Sequence, residues 1–140
     1  MNAIILILAA VLRIASPSEP GERLVLTGHV LGADGKPRAG AAIEVWHTDA
    51  RGLYHLGKGD GPARLRGVVR TDADGSYAIE TIKPGHYPGT NRGAHIHFRI
   101  DGGPTITLFL DGGTPLLKLT RDPRGVFHTS YDFHLGGGAR

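Results

Sequence analysis

A chain of 140 residues is the size of one domain, long enough to bury a core and too short for two ordinary ones. Cysteine is absent, which excludes disulfides, thiolate metal sites and cysteine nucleophiles, so any metal has to be held by His, Tyr, Asp or Glu. The net charge of +3 comes from Lys and Arg scattered along the chain instead of gathered in a run; it leaves no nucleic-acid footprint and is compatible with a small, mildly anionic partner.

The chain opens with "MNAIILILAAVLRIASPSEPGER", in which Ala3 to Leu12 is apolar. That run is too short to span a bilayer but suits the core of a signal peptide, with Ala15 and Ser16 near a plausible cut. On that reading residues 1–16 are removed, residues 17–140 are the single domain, and the protein is periplasmic or secreted. No Lys or Arg precedes the run and Arg13 follows it, so a core strand or a mis-assigned start codon competes, and without a signal peptide the protein is cytoplasmic.

Beyond this segment, 22 Gly and 9 Pro punctuate short elements. Arg23–Val30 reads as a strand. It is followed by a turn at Asp34-Gly35 and a second strand, Ala41–Thr48, giving an antiparallel pair or a crossover between sheets. Residues 49–67 have no periodicity and are long for a connection inside a small domain, which marks a functional loop. Strands at 67–71 and 76–82 flank the turn "DADG", and "KPGHYPGTNRG" is a second irregular passage. The next strand, "HIHFRI", sends Ile96, Phe98 and Ile100 to one face and His95, His97 and Arg99 to the other. A turn at Asp101-Gly102-Gly103 leads to a strand at 104–110, and "VFHTSYDFHL" is a last strand with Phe127, Tyr131, Phe133 and Leu135 on one apolar face. No later segment carries a capped helical period, so the expected fold is an all-β antiparallel sandwich of the transthyretin or immunoglobulin kind with long active-site loops.

His95 and His97 on one strand face are ordinary polar cover for a sheet, but two imidazoles so placed can also converge on one ion. A site then needs two further ligands. Tyr54 and Tyr87 stand in the two irregular loops, and phenolate is a hard anionic oxygen that favours Fe(III) over copper or zinc. A copper or zinc site completed by other histidines stays open on the residues alone. His47 is expected at the edge of the core and Trp46 inside it; His55 and His86 neighbour the two tyrosines, and His128 and His134 face solvent.

Three segments, "GHVLGADGKPRAGAAIEVWHTDARGLYH", "LRGVVRTDADGSYAIETIKPGHYPG" and "RGAHIHFRI", resemble the intradiol ring-cleavage dioxygenases, the group of catechol and protocatechuate dioxygenases. The turn-and-strand portions occur also in transthyretin-like and carboxypeptidase-regulatory-like modules without metal, and a module of that kind is the alternative reading. The specific portions are "W-x-x-D-x-x-G-x-Y", "P-G-x-Y-P" and "R-x-x-H-I-H". The resemblance implies that Tyr54, Tyr87, His95 and His97 hold one mononuclear non-haem Fe(III), that Tyr87 leaves the ion when substrate binds, and that Arg92 faces the substrate. It implies cleavage of a catechol-type diol by O2 to a muconate-type diacid, with no nucleic-acid partner and no membrane span. Thr107, Phe109 and Leu110 stand where the family has a "T-Q-x-Y-F" context, so the residues that contact substrate beyond the ion differ from the family pattern.

Overall fold

The computed structural model describes residues 11–55 and 61–136. Most of the N-terminal apolar run, up to Ala10, lies outside the described residues. Ten strands are present among those described: β1 (Val11–Arg13), β2 (Arg23–Leu31), β3 (Ala42–His47), β4 (Leu65–Arg70), β5 (Ser76–Ile82), β6 (His95–Ile100), β7 (Thr105–Phe109), β8 (Thr120–Arg121), β9 (Phe127–Ser130) and β10 (Phe133–His134). One sheet has the order β1-β5-β2-β9-β8, with β10 also paired to β2, and the other has the order β4-β3-β6-β7.

The alternation of each strand decides which face enters the core. Leu24, Leu26 and Val30 of β2, Tyr77 and Ile79 of β5, and Phe133 of β10 are buried from one sheet. Ile43 and Val45 of β3, Val69 of β4, Ile96, Phe98 and Ile100 of β6, and Leu108 of β7 are buried with them in one cluster. Phe133 bridges the sheets, its ring 5.0 Å from that of Phe98 and 5.6 Å from that of Tyr77.

The all-β sandwich expected from the sequence is the observed fold; of the two connections open after β2 it has the crossover, and it differs from expectation in two details. The connection through Asp34-Gly35 joins β2 to β3 in the opposite sheet, so it is a crossover and not a hairpin. The C-terminal strand is two, because Tyr131 and Asp132 interrupt it, and both pieces pair with β2 in parallel. The larger sheet is therefore mixed, whereas the four-stranded sheet is antiparallel throughout. The described end of the apolar run forms β1, parallel to β5, with Leu12 packed against the core and Ala15 buried just beyond.

The loop-facing side of the four-stranded sheet is what positions the functional residues. Trp46 of β3 lies opposite His97 of β6, and His97 lies opposite Thr107 of β7, so these three side chains form a row on the outer face. The turn between β6 and β7 has positive φ at both Asp101 (50°) and Gly102 (72°), the primed geometry that matches the twist of an antiparallel hairpin and so sets this register.

Candidate metal centre

His95 is buried and His97 half-buried, although both leave the face of β6 opposite the core, because the segments 49–55 and 84–93 fold over them. The first segment is shaped by Asp49. Its buried carboxylate accepts the N–H groups of Arg51 (2.9 Å) and Leu53 (3.0 Å), and the Arg51 guanidinium donates to its other oxygen at 3.1 Å. Burial acts to raise the Asp49 carboxyl, and the bonds from Leu53 and Arg51 outweigh it, holding the group below the usual carboxylate range. Past this turn, the Arg64 N–H donates to the Tyr54 carbonyl at 2.9 Å, while its guanidinium grips both carboxylate oxygens of Glu19 at 2.7 and 2.9 Å.

Glycine lets the two tyrosine segments touch through their backbones. Gly52 has φ +86°, and a Cβ there would come within 1.8 Å of the His86 carbonyl oxygen; one on Gly85 would come within 2.3 Å of the Ala50 oxygen. The Gly85 N–H donates to the Asp49 carbonyl at 2.9 Å, which locks the contact. Asp111, just after β7, ties the second segment to β6: one carboxylate oxygen accepts the Ala94 N–H and the other pairs with His86 Nε2, both at 2.9 Å.

Held this way, Tyr54, Tyr87, His95 and His97 meet. His95 Nε2 lies 3.0 Å from the Tyr87 hydroxyl, His97 Nε2 lies 3.2 Å from the Tyr54 hydroxyl, and the two hydroxyls are hydrogen-bonded to each other. Among the described residues these four polar atoms contact one another and no further polar group. The other ring nitrogens are engaged outside the set: His95 Nδ1 donates to the Gly93 carbonyl at 2.7 Å, and His97 Nδ1 lies 3.0 Å from Thr107 Oγ1. The tyrosines are indispensable to the count, because no three His, Asp or Glu side chains gather at metal-binding distance among the described residues.

The electrostatics of this cluster favour neutral groups until a cation is present. Burial, reinforced by the bond from Tyr87, raises the Tyr54 phenol. Burial, with His95 and Arg92 adding positive charge nearby, pushes His97 down to about 4, so its ring is neutral at pH 7. The donor set thus comprises two imidazole nitrogens, that of His97 neutral, and two phenolic oxygens that a multivalent cation could ionise; that chemistry fits a hard metal ion.

Arg92 is exposed, with its guanidinium carbon 5.9 Å from the Tyr87 ring centre. An open pocket of about 310 Å³ lies alongside, lined by Gly52, Leu53, Tyr54, His55 and Tyr87. Trp46, expected in the core, is instead on the outer face, its ring stacked on His97 at 5.3 Å and the Arg99 guanidinium carbon 5.3 Å from its ring centre. The alternation Ile43, Val45, His47 carried that signal, since it sends Glu44 and Trp46 outward. His47 lies fully buried, Nδ1 donating to the Thr48 carbonyl and Nε2 accepting from Thr81 Oγ1, both at 2.7 Å. His128 and His134 are exposed.

A family model described as "Dioxygenase" matches residues 8–110. The chain is 37% identical over 103 residues to catechol 1,2-dioxygenase 2 of Acinetobacter lwoffii, a match covering 61% of this chain and 38% of that protein. It is 39% identical over 112 residues to the protocatechuate 3,4-dioxygenase beta chain of Burkholderia cepacia, covering 69% of this chain and 48% of that one. The chain therefore spans less than half the length of these curated relatives. Among solved structures, the dioxygenase domain of a dioxygenase carbohydrate-binding protein fusion from Streptomyces sp. SirexAA-E superposes with TM-score 0.73 at 30% identity, covering 90% of this chain and 88% of that one. The 3-chlorocatechol 1,2-dioxygenase of Rhodococcus opacus 1CP superposes with TM-score 0.72 at 25% identity, covering 88% and 63%.

Proposed function

The chain belongs to the intradiol ring-cleavage dioxygenase family, and on that premise we propose that it cleaves a catechol-type aromatic diol between its two hydroxylated carbons with O2, using one non-haem Fe(III), to give a muconate-type diacid. The observation that carries this reading is the closed set of Tyr54, Tyr87, His95 and His97, whose four donor atoms face one another beside an open pocket. Both atoms of O2 enter the diacid, so the ring opening is balanced without an external reductant.

Tyr54, Tyr87, His95 and His97 would hold the ion. Bound there, ferric iron supplies the Lewis acidity that makes loss of both catechol protons favourable near neutral pH and draws electron density from the ring toward the metal. His95 and His97 present their Nε2 atoms, each with its ring fixed through Nδ1. Tyr87 would give way to substrate, its oxygen, a phenolate when it holds the ion, accepting one catechol proton while the other passes to solvent. Arg92 places a permanent positive charge beside Tyr87, where it stabilises negative charge on the substrate as the ring opens. Leu53 and the faces of Tyr54 and Tyr87 give the pocket apolar walls suited to one aromatic ring.

Iron-loaded protein is expected to be red-brown, because tyrosinate-to-Fe(III) charge transfer absorbs in the visible, and to consume O2 with at least one member of a panel of catechol, protocatechuate, chlorocatechols and hydroxyquinol. Tyr54→Phe should weaken iron binding and displace the band. A colourless iron-loaded protein, or a band indifferent to Tyr54→Phe, would overturn the assignment and point to an iron-free sandwich module.

A further inference from the structure

The two imidazoles of the cluster are anchored by different chemistry. His95 Nδ1 faces a backbone carbonyl, that of Gly93 at 2.7 Å, an acceptor that no side-chain substitution at that position removes. His97 Nδ1 faces a side chain, the Thr107 hydroxyl at 3.0 Å, and has no other polar partner among the described residues. The pairing follows from the sheet: His97 and Thr107 are directly opposite on neighbouring antiparallel strands, so both side chains rise from the same face. Opposite the hydroxyl, the plane of the His97 ring is set by Trp46, stacked at 5.3 Å with an interplanar angle of 27°.

We propose that Thr107 is the positioning residue of His97: its hydroxyl accepts the Nδ1–H hydrogen bond and so leaves Nε2 free and aimed at the cluster of Tyr54, Tyr87 and His95. This rests on the reading of those four residues as the iron ligands. The role differs from a substrate contact, since the Thr107 hydroxyl is spent on the imidazole and lies on the far side of the ring from the Tyr54 oxygen. A ligand imidazole without its outer hydrogen bond loses orientation and basicity, and such partners are worth roughly 10- to 100-fold in metal affinity.

Thr107→Val removes the acceptor while keeping shape and strand preference at a partly exposed position; Thr107→Ser keeps the acceptor. In Fe(III) titrations followed by the charge-transfer band, Thr107→Val is expected to bind about tenfold more weakly with a shifted band, and Thr107→Ser to stay within about twofold of wild type. With diamagnetic Ga(III) in place of iron, wild type and Thr107→Ser should show a protected His97 Nδ1–H proton by NMR that Thr107→Val lacks. Equal affinity, band and Nδ1–H protection in Thr107→Val would overturn the inference while leaving the iron site intact. A wild type that forms no tyrosinate band would instead remove the site, and this inference with it.

Discussion

His47 shows how much one residue's surroundings can decide. Its ring sits at the end of β3 between the sheets, where burial is the largest influence and pushes its pKa down to about 4. An unfolded histidine takes up a proton near pH 6.5, so between that pH and about 4 the unfolded chain binds more protons than the folded one. Stability is therefore fully present above about pH 6.5 and is lost as the pH falls toward 4, at up to about 1.4 kcal/mol per pH unit from this ring. Urea unfolding of the metal-free protein at pH 7 and pH 4.5 should show this loss, and His47→Gln should reduce it, leaving the part that His97 contributes over the same range. An unchanged slope in the variant would remove His47 as its source.

At the scale of elements, the site depends on two irregular segments being docked against each other, and glycine makes the docking possible. Gly52→Ala introduces a methyl group 1.8 Å from the His86 oxygen at a backbone φ of +86°, so the segments bearing Tyr54 and Tyr87 must separate. The expected result is a loss of stability of about 1–3 kcal/mol and loss of visible absorption on iron loading, measured by thermal unfolding and by titration. Retained iron binding in a folded Gly52→Ala protein would show that the contact does not position the tyrosines. The same elements show where linear reading falls short. The period-two pattern of "HIHFRI" gives both faces of β6 correctly; in β3 the same alternation sends Trp46 outward, against the usual burial of tryptophan, and Trp46 is part of the outer row. The interruption at Tyr131 and Asp132, and the parallel pairing of β9 and β10 with β2, depend on long-range partners that no local period encodes.

For the whole molecule, core and site share one strand. Phe98 is fully buried against Phe133 between the sheets, one residue from His97 on the other face. Phe98→Ala is expected to cost about 3–5 kcal/mol. Because β6 carries both imidazoles, iron affinity and thermal stability should fall together. A variant with undiminished stability would place the sandwich core elsewhere. By itself the sequence determined the all-β class, the face of β6 that carries the histidines and the family, because alternation, turn residues and motif spacing are local properties of the chain. Only the tertiary structure decided that the Tyr54 and Tyr87 hydroxyls reach those histidines, that Asp49 and Asp111 hold the segments that carry them, and that Thr107 meets His97. Those contacts join residues far apart in the chain, and loop docking and strand register bring them within hydrogen-bond reach.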